Sequence, residues 1–265
     1  MTINDALQHS TPLIGQRDTT LLLCHLTGSN TAHILLHGDK PLQNYEQFLA
    51  YVNRRIQGEP LQYIIGQWDF MGRTFKTDSR ALIPRPETEL LVEEALKFLA
   101  QIPNSDSINV LDLCTGSGCI AASIAAAGNY RVTAADISSD ALSLARENSA
   151  GFDINFVQSD LFSNIHGLFD IIISNPPYIS TCEMDTLSQT VLNYEPHLAL
   201  HGGHGGMDIY RQLVPQSLNF LKPGGALLLE IGPEQVQDIM INCGFTNVKL
   251  KKDYAGLPRI AYGVK

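Results

Sequence analysis

Apolar residues recur along this chain with two different periods. Between residues 3 and 65 they return every three or four positions, as in "DTTLLLCHLTG" and "NYEQFLAYVNRRIQG", and both runs stop at a glycine. This spacing draws one apolar stripe along a helix, and glycine is the usual residue past a helix C-terminus. "LHGDKPLQ" is a turn-rich break between the two runs. The pattern predicts a small helical domain over residues 1–65. The stretch "YIIGQWDFMGRTFKTDSRALIPRP" is richer in aromatic and β-branched residues and is punctuated by Gly66 and Gly72, which predicts a β-hairpin connector over residues 66–85. "PETELLVEEALKFLAQI" returns to helical spacing, with Pro86 near its start and Glu87 and Glu89 in its first turn, where the helix dipole favours acids.

From residue 108 the pattern alternates. "INVLDL", "YRVTAADIS", "INFVQSD", "FDIIISN" and "GALLLEIG" are short apolar runs of strand type. Helical segments separate most of them: "CIAASIAAAG", "DALSLARENSAG" and "MDIYRQLVPQSLNFL", with "PEQVQDIMINCG" after the last. "FTNVKLKKD" and "RIAYGVK" then close the chain as two consecutive strands. Strands that alternate with helices predict a mostly parallel, doubly wound α/β sheet, and the closing pair predicts an antiparallel edge. Residues 86–265 read as this one domain. The lysines of "KLKKD" suit a solvated edge that discourages further pairing.

Composition narrows the setting. The 265 residues are 44% hydrophobic, enough for a sizeable core, and no apolar run approaches the ~20 residues a membrane helix needs. The first residues, "MTINDALQHS", lack the basic and apolar regions of a signal peptide. Five cysteines, without a Cys-x-x-Cys pair, fit a reduced cytoplasmic chain. The net charge of −9 argues against nucleic acid as the main partner, because a duplex binder shows a basic face.

The chemistry gathers at strand ends. "VLDLCTGSGCIA" runs from strand to helix through Cys114, Thr115, Gly116, Ser117 and Gly118, and glycines there allow backbone to come close to a ligand. Asp112 ends the strand just before this loop. Asp136 closes the next strand about 20 residues after the first loop glycine, where a carboxylate suits two ribose hydroxyls. Asp136 could also cap the following helix, although Ser138, Ser139 and Asp140 are placed for that. Asp160 ends the third strand, either as an acceptor for an adenine amino group or as a solvated acid. These positions predict a nucleoside-bearing cofactor and leave NAD and S-adenosyl-L-methionine open.

The fourth strand separates the two. It stops at Asn175-Pro176-Pro177-Tyr178. Asn175 precedes a proline and is pushed toward extended geometry, and the prolines have no N–H. The Asn175 side-chain oxygen and the Pro176 carbonyl are therefore acceptors without neighbouring donors. Two acceptors hold both hydrogens of a planar NH₂ group, and Tyr178 can lie over its flat face. Such a pair stabilises the positive charge that develops when a poorly nucleophilic nitrogen takes a methyl group. An NAD-dependent oxidoreductase has no use for this tetrapeptide.

These residues resemble a known family. "NPPY" with "DLCTGSG" and "AADIS" is similar to the amino-group methyltransferases that use S-adenosyl-L-methionine. "GEPLQYIIG", "FKTDSRALIPRPETE" and "GGMDIYRQL" narrow the resemblance to the release-factor glutamine methyltransferases, the HemK/PrmC family. The resemblance spans nearly the whole chain. It implies a Rossmann-like class I methyltransferase fold with a mostly parallel seven-stranded sheet, and N5-methylation of the glutamine in the Gly-Gly-Gln loop of peptide chain release factors. It also implies that Asn175 to Tyr178 grip the glutamine amide, that residues 114–118 and Asp136 hold the cofactor, and that Leu161 sits beside the adenine. The N-terminal helices and hairpin would dock the release factor, with the enzyme acting as a monomer. The family usually has glycine where this chain has Cys114, whose Cβ restricts φ. Its members often carry an aromatic residue at position 161, where Leu161 packs but does not stack.

Three further readings belong beside this one. Adenine also presents a planar NH₂, so an adenine N6 nucleic-acid methyltransferase is the alternative, opposed by the acidic charge. A non-catalytic module that keeps the cofactor fold is opposed by the intact tetrapeptide. His197, His201 and His204 in "PHLALHGGHGG" invite a metal, but no acid or cysteine completes the spacing, and the expectation is a mobile loop flanking the substrate with no metal bound. Cys114 and Cys119 read as small core residues rather than a redox pair.

Overall fold

Helix α1 (Ile3–Ile14) begins at Thr2, whose side chain accepts from the backbone N–H of Asp5 while the Asp5 carboxylate accepts from that of Thr2. The computed structural model of the chain describes residues 1–103 and 107–265. Gly15 separates α1 from α2 (Gln16–Thr27), and Gly28 ends α2 in left-handed backbone. Helices α3 (Thr31–Leu36), α4 (Tyr45–Ile56) and α5 (Leu61–Ile65) follow. Leu22, Leu23, Ile34, Phe48 and Val52 are buried, as the apolar stripes require. By its contacts, one unit comprises Met1–Gln67 together with Ser188–Tyr194, and the other Trp68–Leu187 together with Glu195–Lys265. Within the first, the Tyr194 hydroxyl donates to the Gln57 carbonyl at 3.2 Å.

Strands β1 (Gln67–Phe70) and β2 (Arg73–Lys76) form a two-stranded sheet joined at Met71 and Gly72. Helix α6 (Pro86–Leu99) starts on Pro86. The main sheet is then built by β3 (Ile108–Leu113), α7 (Cys119–Ala127), β4 (Tyr130–Asp136), α8 (Ser139–Asn148), β5 (Ile154–Gln158) and β6 (Phe169–Ser174). Short helices α9 (Thr181–Met184) and α10 (Gln189–Tyr194) and two 3-10 turns lead to α11 (Asp208–Phe220), β7 (Leu221–Glu230), α12 (Val236–Cys243), β8 (Thr246–Lys252) and β9 (Pro258–Val264). The seven strands lie in the order β5-β4-β3-β6-β7-β9-β8. All pairs are parallel except β7 with β9 and β9 with β8. This is the mostly parallel sheet with an antiparallel edge that the strand pattern predicts.

Both faces of the central strands β3, β6 and β7 are covered, which is why they carry continuous apolar runs, whereas the edge strand β8 is half exposed. Val110, Ile171, Ile173 and Leu228 pack with Leu91, Ile120 and Ile124 on one face, whereas Leu111, Leu113, Ile172, Leu227 and Leu229 pack with Tyr210 and Leu213 on the other. The chain reverses its direction of winding at β3, which has β4 on one side and β6 on the other. Ligands of open α/β sheets bind outside the carboxyl ends of the strands at such a point. Leu113 pairs with Ser174 there, so the glycine loop and Asn175 leave the sheet side by side.

Two details depart from the sequence pattern. Residues 181–206 carry no period, yet they fold as short helices and turns. Strand β7 begins at Leu221 rather than at Gly225, because Leu221 pairs with Phe169 before the register shifts through Lys222–Gly225. Among the described residues no helix is long and apolar enough to cross a membrane.

Candidate active site

The loop after β3 is held by its own chain. Thr115 N–H donates to the Ala135 carbonyl at 3.0 Å, Gly116 N–H to Asp136 Oδ2 at 2.9 Å, and Asn148 Nδ2 to the Ser117 carbonyl at 2.9 Å. Gly118 needs its missing side chain, because a Cβ there would stand 2.9 Å from that of Ala145 and force α7 and α8 apart. Asp112 lies fully buried behind the loop and not on the cavity wall. Its Oδ2 accepts from Thr115 Oγ1 at 2.5 Å and from Ala121 N–H at 3.0 Å, one of the donors that a helix start leaves free. Burial pushes its carboxyl up to about 7, against the pull of those two hydrogen bonds.

A cavity opens over the carboxyl ends of β3, β4, β5 and β6. Its wall includes Cys114 to Ser117, Asp136 to Ser138, Ser159 to Leu161, Asn175 and Pro177, and residues 80–85 cover it from one side. Two wall residues, Cys114 with φ of 61° and Leu161 with φ of 46°, hold left-handed backbone without being glycine. Such strain persists only where the surrounding structure imposes it, and it collects at binding sites. Burial raises the Cys114 thiol far above its ordinary range, so it stays a thiol and not a nucleophilic thiolate.

Asp136 spends one lone pair of Oδ2 on Gly116 and one of Oδ1 on Ser138 N–H at 2.9 Å, which leaves further acceptor sites on both oxygens. Burial raises its carboxyl, partly offset by these backbone donors. The helix cap after it is Ser138, whose hydroxyl accepts from Ala141 N–H. The Asp160 side chain is exposed on the cavity rim. Ser159 shapes the turn there by donating to the Leu161 carbonyl at 2.7 Å.

Asn175 reaches the wall with its nitrogen engaged: Nδ2 donates to Thr88 Oγ1 at 3.2 Å, and among the described residues no protein donor meets Oδ1. Pro177 lines the cavity, whereas Pro176 is buried and Tyr178 lies half-buried outside the wall. The Tyr178 hydroxyl faces Glu230 Oε1 at 3.4 Å, and burial followed by this carboxyl pushes the phenol up. Three glycines crowd Tyr178. A Cβ would stand 2.6 Å from its Cα at Gly202, 2.1 Å from its carbonyl oxygen at Gly206, and 2.6 Å from its ring at Gly232. Ile179 N–H bonds the Leu200 carbonyl and Gly202 N–H bonds the Ile179 carbonyl. Of the glycines among the three histidines, Gly202 and Gly206 therefore serve close packing against Tyr178, whereas Gly203 faces Asp208 and Gly205 open space. His201 shares a hydrogen bond with Thr181 Oγ1 at 3.0 Å, and His204 N–H bonds Asp208 Oδ2.

Thr88, Glu195 and Glu230 escaped the reading of the sequence. The buried Glu195 accepts from Ile83 N–H at 3.2 Å and pairs with Arg85 at 2.5 Å, which fixes the 80–85 segment. Glu230 has a visible signal, a lone acid ending the apolar run "ALLLE". Thr88 carries none. Glu89, in the same helical turn as Thr88, holds the hairpin through Met71 N–H at 2.6 Å.

Residues 92–204 match the methyltransferase small domain, and residues 5–66 match the PrmC N-terminal domain. The chain has the fold of a methyltransferase from Pyrococcus furiosus (TM-score 0.53, 18% identity, 83% of this chain and 97% of that one). It is similar in fold to part of a Thermus thermophilus 16S rRNA N2 G1207 methyltransferase solved with AdoMet and guanosine (TM-score 0.55, 17% identity, 75% of this chain and 49% of that one). Sequence relatives are nearer. The release factor glutamine methyltransferase of Koribacter versatilis is 42% identical over 92% of this chain and 89% of its own length. That of Chlorobaculum tepidum is 38% identical over 90% and 86%. Identity at this level, sustained across most of both chains, decides the relationship: the chain belongs to the release factor glutamine methyltransferases.

Proposed function

We propose that the chain transfers a methyl group from S-adenosyl-L-methionine to the side-chain amide nitrogen of the glutamine in the Gly-Gly-Gln motif of peptide chain release factors, in the cytoplasm. The observation that carries this reading is the state of Asn175. Its nitrogen is tied back to Thr88, so its oxygen is the atom left to receive a hydrogen at the cavity. With the Pro176 carbonyl it forms the acceptor pair that a planar NH₂ group requires.

The cavity suits the cofactor. Its wall joins a backbone loop held close by Gly118, a carboxylate at Asp136 with acceptor sites to spare, and an apolar side at Ala81, Leu82 and Leu161. In this reading Asp136 takes the ribose hydroxyls, Leu161 and Asp160 flank the adenine, and residues 114–118 cradle the amino-acid end. When bound, S-adenosyl-L-methionine supplies an electrophilic methyl group on sulfur. The chain's own part is orientation and charge. Asn175 Oδ1 and the Pro176 carbonyl hold both amide hydrogens, direct the nitrogen lone pair toward the methyl group, and stabilise the charge that builds on nitrogen. Pro177 limits the space beside them, and Tyr178 anchors the turn through Glu230. Asp112 acts from behind by fixing Thr115 and the start of α7.

Incubation with labelled S-adenosyl-L-methionine, a purified release factor and separate nucleic acid tests the reading by mass mapping. The expected label falls on the glutamine of the Gly-Gly-Gln motif. Label on adenine in nucleic acid, with none on the release factor, would transfer the assignment to the alternative. Asn175→Ala is expected to lower turnover about 100-fold or more, with cofactor affinity held within about twofold.

A further inference from the structure

Glu230 ends β7 with its carboxylate 1% exposed. Oε2 accepts from Thr88 Oγ1 at 2.7 Å, and Oε1 faces the Tyr178 hydroxyl at 3.4 Å. Thr88, on the first turn of α6, is 3% exposed. A hydroxyl has one hydrogen, and an ionised carboxylate is acceptor-only. The Thr88 hydrogen is therefore committed to Glu230, and its oxygen is left to accept. The group it accepts from is Asn175 Nδ2, at 3.2 Å. The three side chains form a hydrogen-bonded line with a fixed direction. Turning the Asn175 amide over would set its oxygen against an oxygen whose only hydrogen is already given away.

We propose that Glu230, acting through Thr88, is a positioning residue that locks the Asn175 amide with its oxygen toward the acceptor nitrogen. The proposal rests on the reading of Asn175 as that acceptor, and deepens it. An asparagine alone has two nearly isosteric amide orientations, and only one presents an acceptor to an incoming NH₂. The relay selects that orientation before substrate arrives, and preorganised dipoles act without reorganisation during the reaction. It also accounts for a carboxylate buried at the end of an apolar strand, where a packed apolar side chain would be equally stable or more so. Through Oε1 the same carboxylate reaches Tyr178, so one group holds two members of the tetrapeptide.

Direction requires charge. Burial is the main cause lifting the Glu230 carboxyl to about 7; Glu87 lifts it further, while Thr88, Tyr178 and Arg259 oppose them. The neighbouring Tyr210 hydroxyl bonds the backbone carbonyl of Glu230 and not its carboxylate. Once protonated, the carboxyl can donate to Thr88, the Thr88 hydrogen can turn to Asn175, and the amide is free to reverse.

Steady-state transfer to a release factor, with calorimetric titration of S-adenosyl-L-methionine, tests this in four variants. Thr88→Val is expected to lower kcat about 10- to 100-fold with KM and cofactor affinity little changed, because alignment is lost and binding is not. Thr88→Ser keeps the hydroxyl and should stay within about threefold of the parent chain. Glu230→Gln, whose amide nitrogen can donate to Thr88, should fall like Thr88→Val. The parent chain is expected to lose kcat as pH drops below about 7, and Glu230→Gln should lack that decline. Asn175→Ala is the reference. Should Thr88→Val turn over normally while Asn175→Ala is inactive, the relay is overturned and the role of Asn175 stands. Normal turnover in Asn175→Ala overturns the underlying reading instead. Equal losses in Thr88→Ser and Thr88→Val, or a Glu230→Gln with the parent kcat and acid limb, also overturn the relay.

Discussion

Asp112 is fully buried, and its Oδ1 has no hydrogen-bond partner among the described residues. Ionising it inside the fold leaves that oxygen bare, which is why burial raises its carboxyl to about 7 from an ordinary value near 3.8. The sign follows from proton counting. Between about 4 and 7 the folded chain binds the proton and the unfolded chain does not, so this group's stabilisation is full below 4 and is lost as pH rises toward 7. The carboxyls held below their ordinary values, such as Glu147 beside Arg80, act in the opposite sense but at more acid pH. Urea unfolding of Asp112→Asn between pH 5 and 7 is therefore expected to show a shallower fall in stability than the parent chain, by up to about 1.4 kcal/mol per pH unit. Equal slopes would mean that Asp112 folds in ionised. A nearby residue illustrates what one side chain conceals from a sequence. Cys114 takes the left-handed backbone that glycine adopts most readily, with φ of 61°. A cysteine in a glycine-rich loop is legible in the chain, but its acceptance of strain is not, because that depends on the contacts of the loop with β4 and α8.

At the level of elements, the central strands were readable because both their faces are buried, and the helices on them because one face is. A strand covered on both sides must be continuously apolar, and a helix on its face must be amphipathic. The glycine loop and the tetrapeptide were readable because they break those patterns at strand ends. Residues 181–206 were not, since their structure comes from contacts made elsewhere in the chain rather than from any period of their own: residues 200–206 pack on the turn at Tyr178 and Ile179, and Tyr194 bonds Gln57. Gly206 makes the dependence measurable. It holds a φ of 68°, and a Cβ on it would stand 2.1 Å from the Tyr178 carbonyl oxygen, whereas Gly205 at a φ of 60° faces open space. Both alanine substitutions carry the left-handed penalty of about 1–2 kcal/mol. Only Gly206→Ala must displace the turn that holds Asn175. It should lower kcat about 10-fold or more with cofactor affinity kept, while Gly205→Ala loses stability alone. Matching kcat values in the two would show that the packing on Tyr178 has no bearing on transfer.

For the whole molecule, the charge of −9 fits an enzyme whose substrate is a protein rather than a duplex. The helical unit takes in residues 188–194 from a stretch that begins shortly after the tetrapeptide. In that unit Tyr194 bonds the Gln57 carbonyl, and the very next residue, Glu195, pairs with Arg85 at the segment over the cavity. Tyr194 and Glu195 are joined by a single peptide bond, and Arg85, the ion-pair partner of Glu195, lines the cavity. Shortening the chain by residues 1–62 removes Gln57 and Gly58, and with them the surface on which Thr190 and Tyr194 rest. Asp136, residues 114–118 and Leu161 are untouched by that loss. Cofactor affinity should accordingly stay within about threefold, while kcat/KM on intact release factor falls 10-fold or more, a larger loss than on a short Gly-Gly-Gln peptide. The contrast between the two substrates is the decisive measurement. Equal losses on both would place the effect at the acceptor turn, and no loss on either would leave the helical unit without a part in recognition.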